Sequence, residues 1–341
     1  MSYTKYALLS VGILVVGVLV FVTAENRKSV REEAPTIATE KADYHVVFLG
    51  GTPMQRLAFE GFREKFDELA KEGDVSIEYM TLDVPVSPIN MRNAVDHIVL
   101  YNASLVVTGQ AEVRYLVEKI TTTPIISLFA ADPVATGLAV NEKGSGNNVV
   151  FLDSGTHDSA GRRLEFFLEA MPQAKNILVP RGAASVPTES DAGMLELAQA
   201  VKGHDVTIIE KRFASREELN KFLLDYDFSQ VDAVFRYPGT FIAANFDLFY
   251  ALKEKIKKPF IVINKEELAM GGLIAYGPRY EEFGRSGAVI AWQILKGQIA
   301  PADVPIIRPF RYMLGVNQLV AATFGIAIPD ALLQKADYII E

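Results

Sequence analysis

The chain of 341 residues contains no cysteine. Disulfides, thiolate nucleophiles, Cys-ligated zinc and iron–sulfur clusters are thereby excluded. Histidine is almost as scarce: His45, His97, His157 and His204 are scattered, and no pair has the helical spacing of metal ligands. No Lys/Arg-rich block or stripe stands out, and the net charge is −8. A nucleic-acid partner needs clustered cations to displace counterions from phosphates, so none is expected. A Gly-x-x-x-x-Gly-Lys phosphate loop and a Gly-x-Ser-x-Gly nucleophile elbow are both absent. Without that elbow, His157-Asp158 near Ser154 reads as a helix start rather than part of a triad. Gly144-Ser145-Gly146 lacks the third glycine and the strand-before, helix-after setting of a dinucleotide site, and reads as a turn. The chain is expected not to be an enzyme, with no catalytic residue, cofactor or metal.

Apolar residues, by contrast, are plentiful. Half the residues are hydrophobic and 22% are charged, a balance that supports real cores, and the length suggests two domains. The longest apolar run stands near the start: Lys5 precedes nineteen uncharged residues, Tyr6 to Ala24. It is long for a signal peptide and slightly short for a membrane span, and Val22-Thr23-Ala24 offers residues a signal peptidase tolerates. Residues 1–24 are therefore read as either a cleaved signal peptide or an uncleaved single-pass anchor. Both place the remainder in the periplasm or elsewhere outside the cytoplasm. Arg27, Lys28 and Arg31 follow the run, so the positive-inside rule does not cleanly favour export. Residues 25–42, of mixed charge and carrying Pro35, read as a solvated linker.

From Asp43 onward strand and helix patterns alternate. His45–Leu49, Val75–Leu82, Ser104–Val107 and Ile125–Phe129 read as strands, with helices over Pro53–Lys71, from Ser87-Pro88, and over Glu112–Ile120. The pattern restarts with strands at Asn176–Val179, Val206–Ile209, Ala233–Phe235 and Phe260–Ile263, and helical stretches near 190–202, 216–224 and 241–256. Short β-branched runs between helices predict βαβ units and parallel sheets covered on both faces, an α/β fold. The expected division is residues 43–155 plus 280–341 in lobe 1 and 156–279 in lobe 2. Crossovers are expected near 152–158 and 276–282.

In a parallel sheet the loops after the strands share one edge, where the following helices present free N–H groups and the positive end of their dipoles. Ligands settle at that edge. In the first half it carries Gly50-Gly51-Thr52-Pro53, Thr108-Gly109-Gln110 and Ala131-Asp132-Pro133; in the second, Arg181–Pro187, Tyr237-Pro238-Gly239-Thr240 and Asn264–Glu266. Thr52 and Ser87 before proline also read as helix N-caps, which any helix start requires. Asp132 fits two roles equally: accepting from a ligand amino group, or capping Val134–Gly137. The candidate ligand-binding residues are Gly51, Thr52, Thr108, Gly109, Asp132, Tyr237, Thr240 and Asn264.

Several long segments also carry a family likeness. Pro124–Leu138 (PIISLFAADPVATGL) resembles the PIVF…DPV…GLV stretch of the ABC transporter substrate-binding family that includes tryptophan-binding lipoproteins. Gly271–Gly297 (GGLIAYGPRYEEFGRSGAVIAWQILKG) resembles that family's GALASYG…Y…GR…ILKG signature, and Val304-Pro305, Asn317, Gly325–Pro329, Leu332-Leu333 and Ala336-Asp337 follow in order. The resemblance spans about 44 to 341. It implies a type I periplasmic-binding fold, two Rossmann-like lobes joined by hinge crossovers and closing on a small polar molecule such as an amino acid. The implied partners are that ligand and an ABC permease, with the protein itself a monomer. A membrane-tethered sensor using the same fold without transport remains the alternative. Gly51, Thr52, Thr108 and Asp132 match the family's ligand loops. Three departures stand out: the lipidated cysteine is absent, the second-lobe TDNT loop is here Tyr237-Pro238-Gly239-Thr240, and the Gly-Asn-Val-Thr-Gly stretch is reduced to Gly146–Val149.

Overall fold

Apolar β-branched runs too short for stable helices become the central strands, and the longer stretches between them, apolar on one face, become covering helices. The computed structural model describes residues 42–130, 132–183, 191–308 and 311–341. The N-terminal apolar run and most of the linker, Ala131, and positions 184–187 of the second-lobe loop lie outside the described residues. Among the described residues no helix is long and apolar enough to cross a membrane.

The first half runs β1 (Tyr44–Leu49), α1 (Pro53–Glu72), β2 (Ile77–Leu82), α2 (Pro88–Leu100), β3 (Leu105–Gly109), α3 (Gln110–Leu116), β4 (Ile125–Ala130) and β5 (Val149–Asp153). The second runs α4 (Ala160–Ala170), β6 (Asn176–Gly182), α5 (Ala192–Ala200), β7 (Thr207–Phe213), α6 (Arg216–Asp225), β8 (Ala233–Phe235), α7 (Thr240–Asn245), α8 (Asp247–Ala251), α9 (Lys253–Ile256), β9 (Phe260–Val262), α10 (Lys265–Ala269) and β10 (Gly272–Gly277). The chain ends with α11 (Tyr280–Leu295), β11 (Met313–Asn317), α12 (Gln318–Thr323), α13 (Asp330–Lys335) and β12 (Tyr338–Ile340).

Two sheets result, as expected of two α/β lobes. The first has order β2-β1-β3-β4-β5, all parallel; the second has order β12-β11-β10-β9-β8-β6-β7, parallel except for the β10–β11 pair. In each, strand order reverses beside the first strand of the lobe, between β1 and β3 and between β6 and β8. Such reversals open a crevice at the strand C-termini. Apolar clusters fill both faces of both sheets. Over the first sheet Phe48 stacks on Phe59 at 4.8 Å and Phe62 on Phe66 at 5.2 Å. Each such buried ring is worth about 1.5–3 kcal/mol.

The tail from 280 divides between the lobes rather than returning wholly to the first. Helix α11 packs on α1 over the first sheet, through Phe283, Ala288 and Ala291. Strands β11 and β12 extend the second sheet instead. The antiparallel β10–β11 pairing offers Leu314 and Val316 a place in the second core, which a return to lobe 1 would deny them. Three segments therefore connect the lobes: 154–159, 278–279 and the stretch that leads into β11. The third was not expected. It is held to the first sheet by an isolated Leu152–Ile307 bridge, with the Ile307 N–H donating to the Phe151 carbonyl at 3.0 Å.

At the α1–α11 crossing the backbones touch through glycine. A Cβ at Gly284 would penetrate the Ala58 carbonyl oxygen and lie 2.6 Å from the Phe62 nitrogen; one at Gly61 would strike the Glu281 carbonyl.

The end of β5, where the first crossover begins, also holds a buried acid. Asp153 is 6% exposed, accepts from Gly155 N–H at 2.9 Å and lies 3.7 Å from Arg308 Nη2. Burial outweighs these partners and pushes its carboxyl up to about 6. A raised acid pKa means that the folded protein holds the proton to higher pH than the unfolded chain does. Stability from this group is thus present below about pH 4 and lost as pH climbs toward about 6. Asp153→Asn is expected to gain roughly 3 kcal/mol on the wild type between pH 4 and pH 7, read by urea unfolding at both. An equal difference at the two pH values would show that Asp153 ionises without penalty.

Candidate ligand cleft

Two adjoining cavities lie where the strand tips of the two sheets face each other. The inner one, ≈ 130 Å³, is walled by Thr52, Met54, Gln55 and Gly109–Glu112 from the first lobe. Arg236, Pro238, Gly239 and Ala243 face them from the second, with Ser154, Thr156 and His157 from the crossover. The outer one, ≈ 1100 Å³, shares Thr52, Met54, Gln55 and Glu112 and extends past Gly51, Asp83, Tyr115, Phe241, Tyr250 and Asn264. The lobes meet across the inner cavity at Met54, whose sulfur accepts from Arg236 Nη2 at 3.8 Å.

On the first-lobe side the local sequence builds a hydrogen-bonded ledge. Thr52 caps α1 with its hydroxyl accepting from Gln55 N–H at 3.2 Å, and Gln55 Oε1 accepts from the N–H groups of Thr52 and Gly51 at 2.9 and 3.1 Å. This is a reciprocal cap in a T-x-x-Q spacing. The other end of the Gln55 amide donates to Glu112 Oε1 at 2.9 Å. Glu112 is 3% exposed, and its Oε2 has no hydrogen-bond partner among the described residues. Burial pushes its carboxyl above the usual range, although Gln55 and the nearby Gly109 and Glu112 peptide groups favour the anion. A Cβ at Gly109 would sit 2.6 Å from Gln55 Nε2 and 2.9 Å from Glu112 Oε2, so a side chain there would displace the Gln55–Glu112 pair. Phe129, at the bulged end of β4, takes φ 60°, a strained value for a bulky residue. That turn puts its ring in the cavity wall, edge-on to Tyr280 at 5.0 Å.

The second-lobe side is cationic. Arg236, 2% exposed, donates from Nε to Glu267 Oε1 at 3.0 Å and from Nη1 to the Tyr237 carbonyl at 2.9 Å. Behind it Arg163, fully buried in the first turn of α4, lies 4.8 Å over the Phe235 ring. Among the described residues its Nη atoms reach only the Tyr276 and Thr156 carbonyls, each at 3.4 Å, and its Nε has no partner. Among the described residues no carboxylate pairs with it. Burial, then the charge of Arg236, brings its pKa down to about 9, so it stays cationic at neutral pH. His157, buried and with Nε2 unpartnered among the described residues, is pulled down to about 3 by burial and by Arg163, Arg181 and Arg236. It is therefore a neutral imidazole at neutral pH. Arg181 differs in being paired, with Asp191 at 2.7 Å and Glu210 at 3.3 Å.

Of the eight residues expected from sequence, the cavities gather Gly51, Thr52, Gly109 and Asn264. Thr240 begins α7, directly after the cavity-lining Pro238-Gly239. Three others line neither cavity. Thr108 is fully buried with its hydroxyl donating to the Leu49 carbonyl at 2.8 Å, which ties β3 to β1. Asp132 turns back on its own loop, Oδ1 accepting from Ala135 N–H at 3.0 Å, as a cap does. Tyr237 is buried beneath Arg181 and edge-on to His157. Asn264, while lining the outer cavity, spends its Oδ1 capping α10 through Glu267 N–H at 2.8 Å. His157 and Ser154, expected only at a helix start, stand in the inner wall. Gln55, Glu112, Arg163 and Arg236 were not expected; only Gln55 had a local signal, its capping spacing after Thr52.

Residues 51–340 match the family described as ABC transporter substrate binding protein. Solved structures agree in fold. A Streptococcus pneumonia ABC domain in complex with L-Trp superposes with TM-score 0.74 at 21% identity, covering 87% of this chain and 99% of its own. A conserved domain protein from Vibrio cholerae gives 0.72 at 19% identity, with the same coverage. The ligand-free, open structure of a substrate binding protein with adhesive properties from Clostridium difficile gives 0.62 at 17%, again with 87% and 99% covered. No curated protein matches the sequence. With two facing α/β lobes, a cavity between them and a family match over nearly the whole folded region, the chain belongs to the ABC transporter substrate-binding protein family and has the type I periplasmic-binding fold.

Proposed function

We propose that this protein is the extracytoplasmic solute-binding component of an ABC transporter, capturing a small polar molecule, an amino acid, by hinge closure without altering it. The observation that carries this reading is the inner cavity, whose walls come from both lobes and hold buried polar atoms with no hydrogen-bond partner among the described residues. A ligand there gains contacts to both lobes only when they are together, so its binding shifts the population toward the closed form. The three connecting segments between the lobes supply the bending points, and a membrane permease reads the closed form. An amino acid agrees with the cavity: hydroxyls and amides at Thr52, Gln55 and Thr156, with Phe129 and Tyr280 for an apolar side chain. The inner volume, ≈ 130 Å³, approaches that of an engineered cavity of about 150 Å³ that holds benzene, and the outer cavity leaves room beyond it.

Residues 42–341 form a compact unit by themselves, which permits calorimetry on that unit. Titration with the twenty amino acids and a nucleoside panel is expected to give a binder near micromolar, about 8 kcal/mol of binding free energy. Well-folded protein that binds nothing in either panel would remove the reading.

A further inference from the structure

The buried acid at the end of β5 lines neither cavity; it stands where two of the connecting segments are zipped together. The Asp153 N–H donates to the Ile307 carbonyl at 2.8 Å, and the Ile307 N–H donates to the Phe151 carbonyl at 3.0 Å. The first and third connecting segments are thus paired, in parallel, at the point where both leave the first sheet. The Asp153 side chain is held in this junction, its Oδ1 accepting from Gly155 N–H at 2.9 Å. The cation on the facing segment is Arg308, yet its Nη2 stops 3.7 Å short, beyond hydrogen-bond distance. Its fork is spent on the exposed Glu142 carboxylate instead, Nη1 at 2.8 Å and Nη2 at 3.3 Å. Glu142 is fixed beside that segment, its carbonyl accepting from Ile306 N–H at 3.1 Å. Also facing Asp153 are Asp158 on its own segment, Tyr312 on the third, and Asp132 in the loop after β4. Asp158 repels the anion, while the Asp132 peptide group favours it and the Asp132 carboxylate turns away to Ala135.

We infer that Asp153 is a proton-controlled latch on the pairing between the first and third connecting segments. Protonated, it sits in the junction at little cost and the segments stay paired. Ionised, it favours an arrangement in which they part and water reaches the carboxylate. The driving force is the hydration that a buried anion lacks, with Arg308 already engaged by Glu142 and Asp158 adding repulsion. Linkage fixes the sign. The paired arrangement holds the Asp153 proton up to about 6, whereas a hydrated carboxyl gives it up near ~4. Proton binding therefore favours pairing, and rising pH favours parting. The change accumulates between those two values and levels off above the upper one. It needs no ligand and persists whatever the cleft holds. The surrounding acidity thus sets how firmly the third segment is tied to the first.

The test is hydrogen exchange on the ligand-free 42–341 unit, read at single amides from about pH 5 to pH 7 and corrected for the base catalysis of free-peptide exchange. The Asp153, Gly155 and Ile307 N–H groups are expected to lose about 10-fold in protection over that range, most of it by about pH 6. The Val106 N–H, on the Pro124 carbonyl deep in the first sheet, is expected to stay better protected than all three throughout. Asp153→Asn, which keeps the shape and cannot ionise, is expected to make their protection independent of pH. Glu142→Gln frees the Arg308 fork to turn to Asp153, and is expected to shrink the change to about threefold. Protection that does not vary with pH in the unaltered protein would overturn the latch. So would protection at Val106 equal to that of the three amides and falling with them, because ionisation would then loosen the whole fold and not one junction. The pH series needs no substitution, so it decides the matter even where a variant fails to fold.

Discussion

Gly284→Ala is expected to destabilise the protein by about 2 kcal/mol, against its helix propensity. In an open helix the change gains about 1 kcal/mol, because alanine costs less backbone entropy than glycine. Here the new methyl enters the Ala58 carbonyl oxygen and the Phe62 nitrogen of the facing helix, both backbone atoms with no rotamer to yield. Overpacking of that kind costs about 1–3 kcal/mol and sometimes more, since two helices must part along a buried seam. The seam term wins, by a margin that thermal unfolding reads as roughly 5 °C. Ser286→Ala, two residues along on the exposed face of the same helix, is the control and is expected to stay within about 0.5 kcal/mol. A stabilised Gly284→Ala would mean that α1 and α11 have room to separate.

Arg163→Met is expected to do the reverse of most core substitutions, raising stability in the absence of ligand while weakening capture. The guanidinium is fully buried, has no carboxylate partner among the described residues, and makes two long carbonyl contacts. Burying an unpaired ion costs several kcal/mol after relaxation. The Phe235 ring beneath it returns up to about 2 kcal/mol. Methionine keeps much of the aliphatic stem and sheds the charge. A net gain of about 1–2 kcal/mol at pH 7 follows, visible as an upward shift of the melting curve. An anionic ligand group would lose the field that Arg163 provides, for an expected drop of about 10-fold in affinity. A variant that melts earlier and binds as before would make Arg163 a structural strut and nothing more.

Both residues belong to the part of the protein that its order of amino acids announces only in outline. Gly284 sits in a segment with a family likeness, yet nothing beside it in the chain says that α1, from the far end of the folded region, presses on it. Thr52 and Gln55 are different. Their T-x-x-Q spacing is a local device, and the cap forms where the spacing places it. Thr108 and Asp132 occupy the expected loops but satisfy neighbours of their own, at Leu49 and Ala135. A hydroxyl or carboxylate near a strand end finds a nearby backbone partner more cheaply than it waits for a ligand.

The chain alone determined what short-range physics controls: alternating short apolar runs and helices, their caps, two α/β lobes, and the loops that share a strand-tip edge. Tertiary structure decided which lobe the last strands join, because β11 finds its antiparallel partner only once β10 is in place. It also decided which charges lose their water. Glu112, Arg163 and Arg236 look like any surface residues in a helix or at a strand end, and burial is a property of the elements packed around them rather than of their neighbours in the chain. Desolvation sets how those three hold their protons, and it depends on contacts between segments far apart in sequence.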